Sequence, residues 1–339
     1  MMKKMSKKNI NVLYGINATG QGHINRARKL VPLLSKHVNI DLLISGAKQK
    51  VELPKKPTYS YKGLTFYYQK GRINWLKTII KNNIFKVLID ILTCPVSKYH
   101  FVITDFEPIS AWAAFIKRKK SIHISHQISF DSKAVPRPKK QNLIDKTSNL
   151  FMSFFAISKS KIGFHYKRYD KHIFPPILNP SFKALTKHNN QNHHICVYLP
   201  AFSTKELIET FIQIPDVSFH LFHNEFKHFK ILKNLTLYSL SAKTFQDSLI
   251  SCQSYITHAG FESTSEALLL KKPLLCIPIN DHYEQQCNMS ALSDMGITSL
   301  QTLDPKAIKA WIIKKKPPIS IPYCTQDQLV TEILKLSIL

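Results

Sequence analysis

The residue types best suited to chemistry fall between positions 258 and 288. There the chain reads His258-Ala-Gly260-Phe-Glu262-Ser263-Thr264-Ser-Glu266, then Lys272-Pro273-Leu-Leu-Cys-Ile-Pro278, then Glu284-Gln285-Gln-Cys-Asn288. The apolar run 254–257 predicts a short buried strand and Gly260 a turn. Residues 262–270 predict a helix with Ala267, Leu268 and Leu270 on its apolar face, and 274–277 a second strand closed by Pro278. A helix that starts at the carboxyl end of a strand aims its N–H groups into the connecting loop, which makes an anion site. Glu266, one turn inside, is placed to accept hydrogen bonds from hydroxyls beside that anion. A nucleotide diphosphate sugar presents this combination. Ser263-x-x-Glu266 also reads as a capping box, in which Ser263 caps the helix and Glu266 bonds back to the cap. A capping box, however, demands neither Glu284-Gln285 nor Asn288.

The amino-terminal end offers a second cluster. Residues 11–16 predict a strand, followed by Asn17-Ala-Thr19-Gly20-Gln-Gly22-His23. A helix then carries Ile24, Ala27, Leu30, Val31 and Leu34 on one face, with Arg26, Arg28 and Lys29 on the other. Three of the nine glycines lie within 15–22, where a missing side chain lets backbone approach a ligand or take positive φ. No Lys-Ser or Lys-Thr follows, which excludes a Walker loop, and the spacing after Gly22 excludes the dinucleotide fingerprint. His23 is a candidate general base, or a donor to a phosphate. Its other reading is a solvated first-turn residue.

A third cluster, Thr104-Asp105-Phe106-Glu107-Pro108, follows the buried run 101–103. Pro108 opens a helix at its preferred first-turn position. Asp105 and Glu107 therefore sit at the carboxyl end of a strand, where α/β sheets place ligand groups. Either carboxylate alternatively caps the helix starting at Pro108.

The spacing His258, Gly260, Ser263, Glu266, followed by a Lys-Pro strand and an acid-Gln-x-x-Asn element, resembles the donor-binding signature of GT-B glycosyltransferases. The likeness is to MurG-like and UDP-glucuronosyltransferase-like enzymes, and the Asp-Phe-Glu-Pro run resembles a prokaryotic branch of them. The resemblance implies that Gly260 and Ser263, with His258 and Thr264 beside them, hold the donor diphosphate. It places ribose hydroxyls on Glu266 and the donor sugar on Glu284 and Gln285. Gly20 and Gly22 form a Gly-rich turn at the donor, His23 becomes the catalytic base, and Asp105 orients it. Glu107, Lys133 and Arg137 are the acceptor-side candidates. One departure is Glu262, where plant-type members have Asn; a carboxylate beside a diphosphate is unfavourable unless it faces away.

The fold implied is α/β: GT-B, two doubly wound Rossmann-like domains facing a central cleft. Alternating apolar runs support two such sheets, at 39–44, 101–103, 122–125 and 154–157 in the first half, and 195–199, 217–222, 235–238 and the two motif strands in the second. The expected boundaries are an acceptor domain over 1–178, a linker over 179–194, a donor domain over 195–322, and a helix over 323–339 crossing back to the first domain. The run 75–92 predicts an apolar, Lys-bearing helix, expected to pack into the first domain rather than dock on a membrane.

At 339 residues the chain is long enough for two α/β cores. The net charge of +27 points toward anionic partners. Only six of the 48 basic residues are Arg, none after Arg168, which argues against sequence-specific nucleic-acid binding, where bidentate Arg dominates. Cysteines 94, 196, 252, 276, 287 and 324 show neither close pairing nor ligand spacing, so reduced buried thiols in a cytoplasmic protein are expected. No apolar run approaches a membrane span, and the first apolar stretch reads as a strand rather than a signal peptide.

The expected activity is metal-independent transfer of a hexose-type sugar from a nucleotide diphosphate donor, UDP by resemblance. No cofactor is called for: there is no Asp-x-Asp pair, and His188, His193 and His194 lack ligand spacing. A sugar-nucleotide 2-epimerase or hydrolase on the same fold is the alternative, and a non-catalytic nucleotide-sugar or membrane-surface binding protein the alternative of another class. The loops 54–72, with Tyr59, Tyr61, Tyr67 and Tyr68, and 127–140, with Lys133, Arg137, Lys139 and Lys140, are the candidate acceptor loops. They suit a lipid-linked or anionic glycan acceptor, and a place on the inner face of an anionic membrane.

Overall fold

The computed structural model describes residues 10–46, 52–64, 68–69, 72–73, 81–139, 143–177, 193–279 and 282–338. The chain divides into two compact units. The first comprises Met1–Ala134, Gln141–Ile177 and Cys324–Leu339; the second comprises Val135–Lys140 and Leu178–Tyr323.

In the first unit the strands are β1 (Asn11–Asn17), β2 (Asn39–Ser45), β3 (Tyr59–Tyr61), a small β4–β5 hairpin (Tyr68–Gln69 and Arg72–Ile73), β6 (Phe101–Asp105), β7 (Ser121–Ser125), β8 (Ser160–Phe164) and β9 (Ile173–Phe174). The main sheet runs β3-β2-β1-β6-β7-β8-β9, all parallel. Buried on both faces, these strands are near-continuous apolar runs, as parallel sheets require. The strand order reverses at β1, whose neighbours are β2 and β6. That switch point is where open α/β sheets bind ligands, and pairing of Ile16 with Asp105 brings the first and third sequence clusters to one spot.

Helix Pro108–Ile116 lies on β1 and β6. Its small residues Ser110, Ala111, Ala113 and Ala114 are fully buried and let it sit close. Gly15 in β1 is part of that fit, because a Cβ there would overlap the Ser110 hydroxyl. Helix Gln326–Ile338 belongs to this unit and packs against helix Gln21–Leu34 and β7.

In the second unit the strands are β10 (His194–Tyr198), β11 (Ser218–His223), β12 (Lys230–Leu232), β13 (Leu235–Ser239), β14 (Ser254–Thr257), β15 (Leu274–Cys276) and β16 (Thr298–Ser299). They form one sheet ordered β12-β13-β11-β10-β14-β15-β16, parallel except for β12 on β13. The switch point lies between β10 and β14, whose last residues, Tyr198 and Thr257, are in register. Its core joins Val197, Leu221, Ile256 and Leu275 of the sheet to Leu207, Phe211 and Trp311 of the helices.

Three expectations are corrected or bounded. Residues 154–157 are not a strand: helix Leu143–Phe155 ends there, and the strand follows at Ser160–Phe164. Phe155 and Ala156 instead bury against Phe106 and Ala111. The helix expected over 75–92 is Ile84–Thr93, capped by the Asn83 side chain on the Lys86 N–H, and 75–80 lie outside the described residues. It packs inward through Val87 and Ile91, while most of its other side chains are exposed. Most of the linker expected over 179–194, with His188, also lies outside the described residues. All six cysteines are free and buried.

Candidate active site

In the first unit β1 and β6 end side by side, and the chemistry sits just beyond them. Helix Gln21–Leu34 begins after Gly20, an extended N-cap that supplies no side-chain cap, and Gly22 and His23 form its first turn. Asn17 holds this turn: its Oδ1 accepts from the N–H and hydroxyl of Thr19, and its Nδ2 donates to the carbonyl of Phe106. His23 is 12% exposed, and its Nδ1 stands 2.6 Å from Asp105 Oδ1. With Nδ1 facing a carboxylate, the neutral ring carries its proton there and leaves the Nε2 lone pair as the basic atom. The ring also stacks on Phe106, 5.7 Å between centroids.

Arg26, one turn along the helix, donates from Nη1 to the same Asp105 oxygen at 2.6 Å. It is 3% exposed, and its guanidinium covers the Phe164 ring at 4.9 Å. The sequence reading put Arg26 on the solvent face with Arg28 and Lys29. The structure instead buries it as the countercharge of Asp105, which a fully buried carboxylate needs. Beneath them Tyr14 is completely buried, and burial first, then the charge of Asp105, pushes its phenol well above its ordinary range. Burial first, and then the neighbouring side chains Lys161, His23 and Arg26, hold His123 down at about 3.

Asp105 and Glu107 take different jobs. Glu107 is the N-cap of helix Pro108–Ile116, its carboxylate accepting from the N–H groups of Ile109 and Ser110. It has no exposed surface, and burial raises its carboxyl above the usual range against the pull of these hydrogen bonds. Glu107 is therefore corrected from acceptor-side candidate to helix cap. Between the two acids Phe106 adopts φ 51, a left-handed conformation costing a residue with a side chain about 1–2 kcal/mol. Strain of this kind collects at functional loops.

In the second unit helix Phe261–Leu269 starts at the carboxyl end of β14 with Gly260 as N-cap and no side-chain cap. The capping-box reading fails here, because Ser263 lies inside the helix and its hydroxyl points back to the Gly260 carbonyl at 3.3 Å. The first-turn amides thus have the orientation of an anion site. Gly260 has φ −74, and a Cβ built on it would meet only the Ser263 hydroxyl, at 3.8 Å. Nothing among the described residues requires glycine at that position. Glu262 occupies the first turn and Glu266 the second, both half-buried.

Three expected donor contacts prove to be framework. His258 is buried; its ring takes the Ala201 N–H on Nε2 and places Nδ1 2.6 Å from the Ile277 carbonyl. Burial holds it at about 4, so the ring is neutral. Thr264 turns its hydroxyl onto the carbonyls of Gly260 and Phe261. Gln285 accepts the Ile279 N–H, and Asn288 donates to the Ala259 carbonyl. His258, Gln285 and Asn288 therefore fix the loops after β14 and β15, with both ring nitrogens of His258 and the side-chain oxygen of Gln285 engaged by backbone groups rather than turned to a donor. Glu284 is half-buried in the first turn of helix Tyr283–Asp294.

The candidate loop 127–140 also divides. Lys133 is an exposed residue of the first unit, whereas Val135–Lys140 belong to the second. Arg137 donates to the Tyr283 hydroxyl at 2.9 Å and lines a cavity of about 600 Å³ with Pro278, Ile279, Met289 and Ser299. Tyr67, the side chain of Tyr68 and Lys140 lie outside the described residues. Among those residues no group of three His, Cys, Asp or Glu is arranged to hold a metal ion, and no helix is long and apolar enough to cross a membrane.

Paired Rossmann-like sheets serve many activities, so comparison with known proteins narrows the class. The architecture is the GT-B fold of sugar-transferring enzymes. The glycotransferase of kitacinnamycin superposes with a TM-score of 0.60 at 12% identity, covering 90% of each chain. The UGT2 of Phytolacca americana, solved with UDP-2-fluoro-glucose and pterostilbene, gives 0.55 at 13% identity over 97% of this chain and 94% of that one. The glycosyltransferase VinC, solved with dTDP, gives 0.55 at 10% identity over 97% and 100%. More narrowly, the model of glycosyl transferase family 1 matches residues 10–315, and the chain belongs to that family. A sequence search of curated proteins finds no match.

Proposed function

We propose that the protein transfers a hexose-type sugar from UDP to a hydroxyl of its acceptor by direct displacement, with His23 as the base. The observation that carries this reading is the 2.6 Å approach of His23 Nδ1 to the buried Asp105, which fixes the ring and leaves Nε2 basic. His23 Nε2 removes the acceptor proton as the acceptor oxygen bonds to the anomeric carbon. The bond from that carbon to the β-phosphate oxygen breaks, and its electron pair leaves on UDP. Asp105 stabilises the imidazolium, as the carboxylate of a catalytic dyad does.

The leaving diphosphate is assigned to the first-turn amides of helix Phe261–Leu269, where a helix terminus offers preorganised positive dipole. Glu266 takes the ribose hydroxyls and Glu284 the donor sugar. Those amides supply the charge stabilisation that a divalent cation gives other sugar transferases, so the reaction is proposed to run without one. A single displacement inverts the anomeric configuration.

The acceptor is proposed to be a glycan or a lipid-linked hydroxyl compound. A panel of nucleotide sugars and such acceptors, with and without EDTA, tests the reading. The expected result is acceptor-dependent release of UDP, unchanged by EDTA, with an inverted product by NMR. Free sugar without acceptor, or loss of turnover in EDTA, would overturn it.

A further inference from the structure

Helix Ile84–Thr93 has an inverted surface. A helix at the edge of a soluble fold buries its apolar residues and shows polar ones. Here Ile84, Phe85, Leu88, Ile89 and Leu92 are 44, 75, 53, 43 and 59% exposed. The inward side is narrow, formed by Val87, Asp90 and Ile91. The end of the neighbouring helix Pro108–Ile116 extends the surface with Phe115 and Ile116, both about half exposed. The two helix ends are tied together, since Lys117 Nζ donates to the Cys94 carbonyl at 2.7 Å. Contiguous apolar exposure of this kind marks an interaction surface.

Along this stretch of chain the exposed charges have one sign. All three acidic residues between positions 81 and 120, Asp90, Asp105 and Glu107, are buried. Lys81, Lys86, Lys98 and Arg118 are exposed, and Arg118 begins the run Arg118-Lys119-Lys120 directly after Lys117. A second copy of this chain, itself carrying +27, would bring two cationic rims together. An apolar row inside a cationic rim matches instead the acyl boundary and headgroups of an anionic bilayer.

We propose that helix Ile84–Thr93 with Phe115 and Ile116 is a docking face for an anionic phospholipid membrane, entered by Phe85, Leu88 and Leu92 and held at the headgroups by Arg118, Lys119 and Lys120. This inference does not rest on the proposed reaction, and its test reads no catalysis.

The full chain is sedimented with phosphatidylcholine vesicles, with or without about 30% phosphatidylglycerol, a composition that gives the surface its negative potential. Binding is expected on the anionic vesicles alone. Phe85→Gln/Leu88→Gln/Leu92→Gln should lower it about ten-fold or more, with far-UV circular dichroism and melting unchanged because all three side chains already face water. Arg118→Gln/Lys119→Gln/Lys120→Gln should weaken it and flatten its salt dependence. Should the apolar triple variant fold poorly, quenching of the wild-type tryptophans by bromine-labelled lipid gives a second reading, since Trp112 packs edge-on against Phe115. No binding of the wild type, equal binding by the folded apolar variant, or unquenched tryptophan would overturn the proposal. So would a lipid-free dimer that the same variant abolishes, which would assign the face to a second copy.

Discussion

Gly260→Ala separates ligand chemistry from folding. The backbone there, φ −74 and ψ 131, suits any residue, and the added methyl would meet nothing nearer than 3.8 Å. Two small folding effects oppose one another. Restricting the unfolded chain stabilises by about 0.4–1 kcal/mol, while alanine is the poorer N-cap by up to about 1 kcal/mol. The net change should stay within about 0.5 kcal/mol, moving Tm by about 1–2 °C. A diphosphate on the first-turn amides, by contrast, would meet that methyl. Losing one charge-assisted hydrogen bond costs about 1.5–3 kcal/mol, so UDP should bind about ten- to a hundred-fold more weakly. Gly15→Ala is the control: its methyl would overlap the Ser110 hydroxyl and stand 3.1 Å from Glu107 Oε2. Overpacking of this kind costs about 1–3 kcal/mol, which lowers Tm by about 3–10 °C. Titration calorimetry with UDP and scanning calorimetry on both variants give the four numbers. Unchanged UDP affinity in a normally folded Gly260→Ala would refute the placement of the diphosphate on this helix.

His23→Ala should lower kcat by about 10²–10⁴ while leaving UDP affinity intact, and Asp105→Asn should resemble it; full turnover in His23→Ala would move the base elsewhere. Arg26→Met leaves the buried Asp105 charge without its partner and should cost about 3–5 kcal/mol in urea unfolding; a loss under about 1 kcal/mol would contradict the buried pair. Glu266→Gln should weaken UDP binding by about 1–3 kcal/mol, whereas Glu262→Gln, removing a like charge from the same helix end, should tighten it about two- to four-fold; the opposite pattern would exchange the two roles. Stability should fall as pH drops from about 6.5 toward 4: unfolded His258 takes its proton near the ordinary 6.5, the buried ring only at about 4, so the unfolded state binds the extra proton between those values. The loss from this group is about 2–3 kcal/mol, and urea midpoints that decline equally in His258→Asn would assign it elsewhere.

The longer central strands were legible because each is an apolar run, as at β6 and β10, and the motif loops fell at their carboxyl ends; β3, β9 and β16, two or three residues long, left no such run. The run at 154–157 misled because helix ends and buried strands share that composition, and periodicity cannot part them over four residues. The sequence offered His23 and Asp105 as partners, but left open whether Asp105 or Glu107 caps the helix at Pro108. Only the turn at Phe106 distinguishes them. Arg26 was hidden because its countercharge lies 79 positions away, and a basic residue between Asn25 and Arg28 reads as solvated. In the donor motif spacing located the loops, but not which side chains face outward. His258, Thr264 and Gln285 bond to backbone groups, some distant in sequence, that no motif records.

The chain leaves the first unit at Ile177 and returns at Cys324, and these two residues bridge in parallel, with the Cys324 N–H on the Pro176 carbonyl at 2.9 Å. By connectivity, the second unit is for the most part a long insertion into the first. Helix Gln326–Ile338, which packs against helix Gln21–Leu34, is therefore made on the ribosome after the whole second unit. The half that carries His23 cannot complete its core until synthesis has passed Cys324, even though most of it is translated before the second unit. Domains usually mature in order from the amino terminus; here the order of completion runs backwards, and a stop codon near position 323 would strike the earlier-translated of the two units.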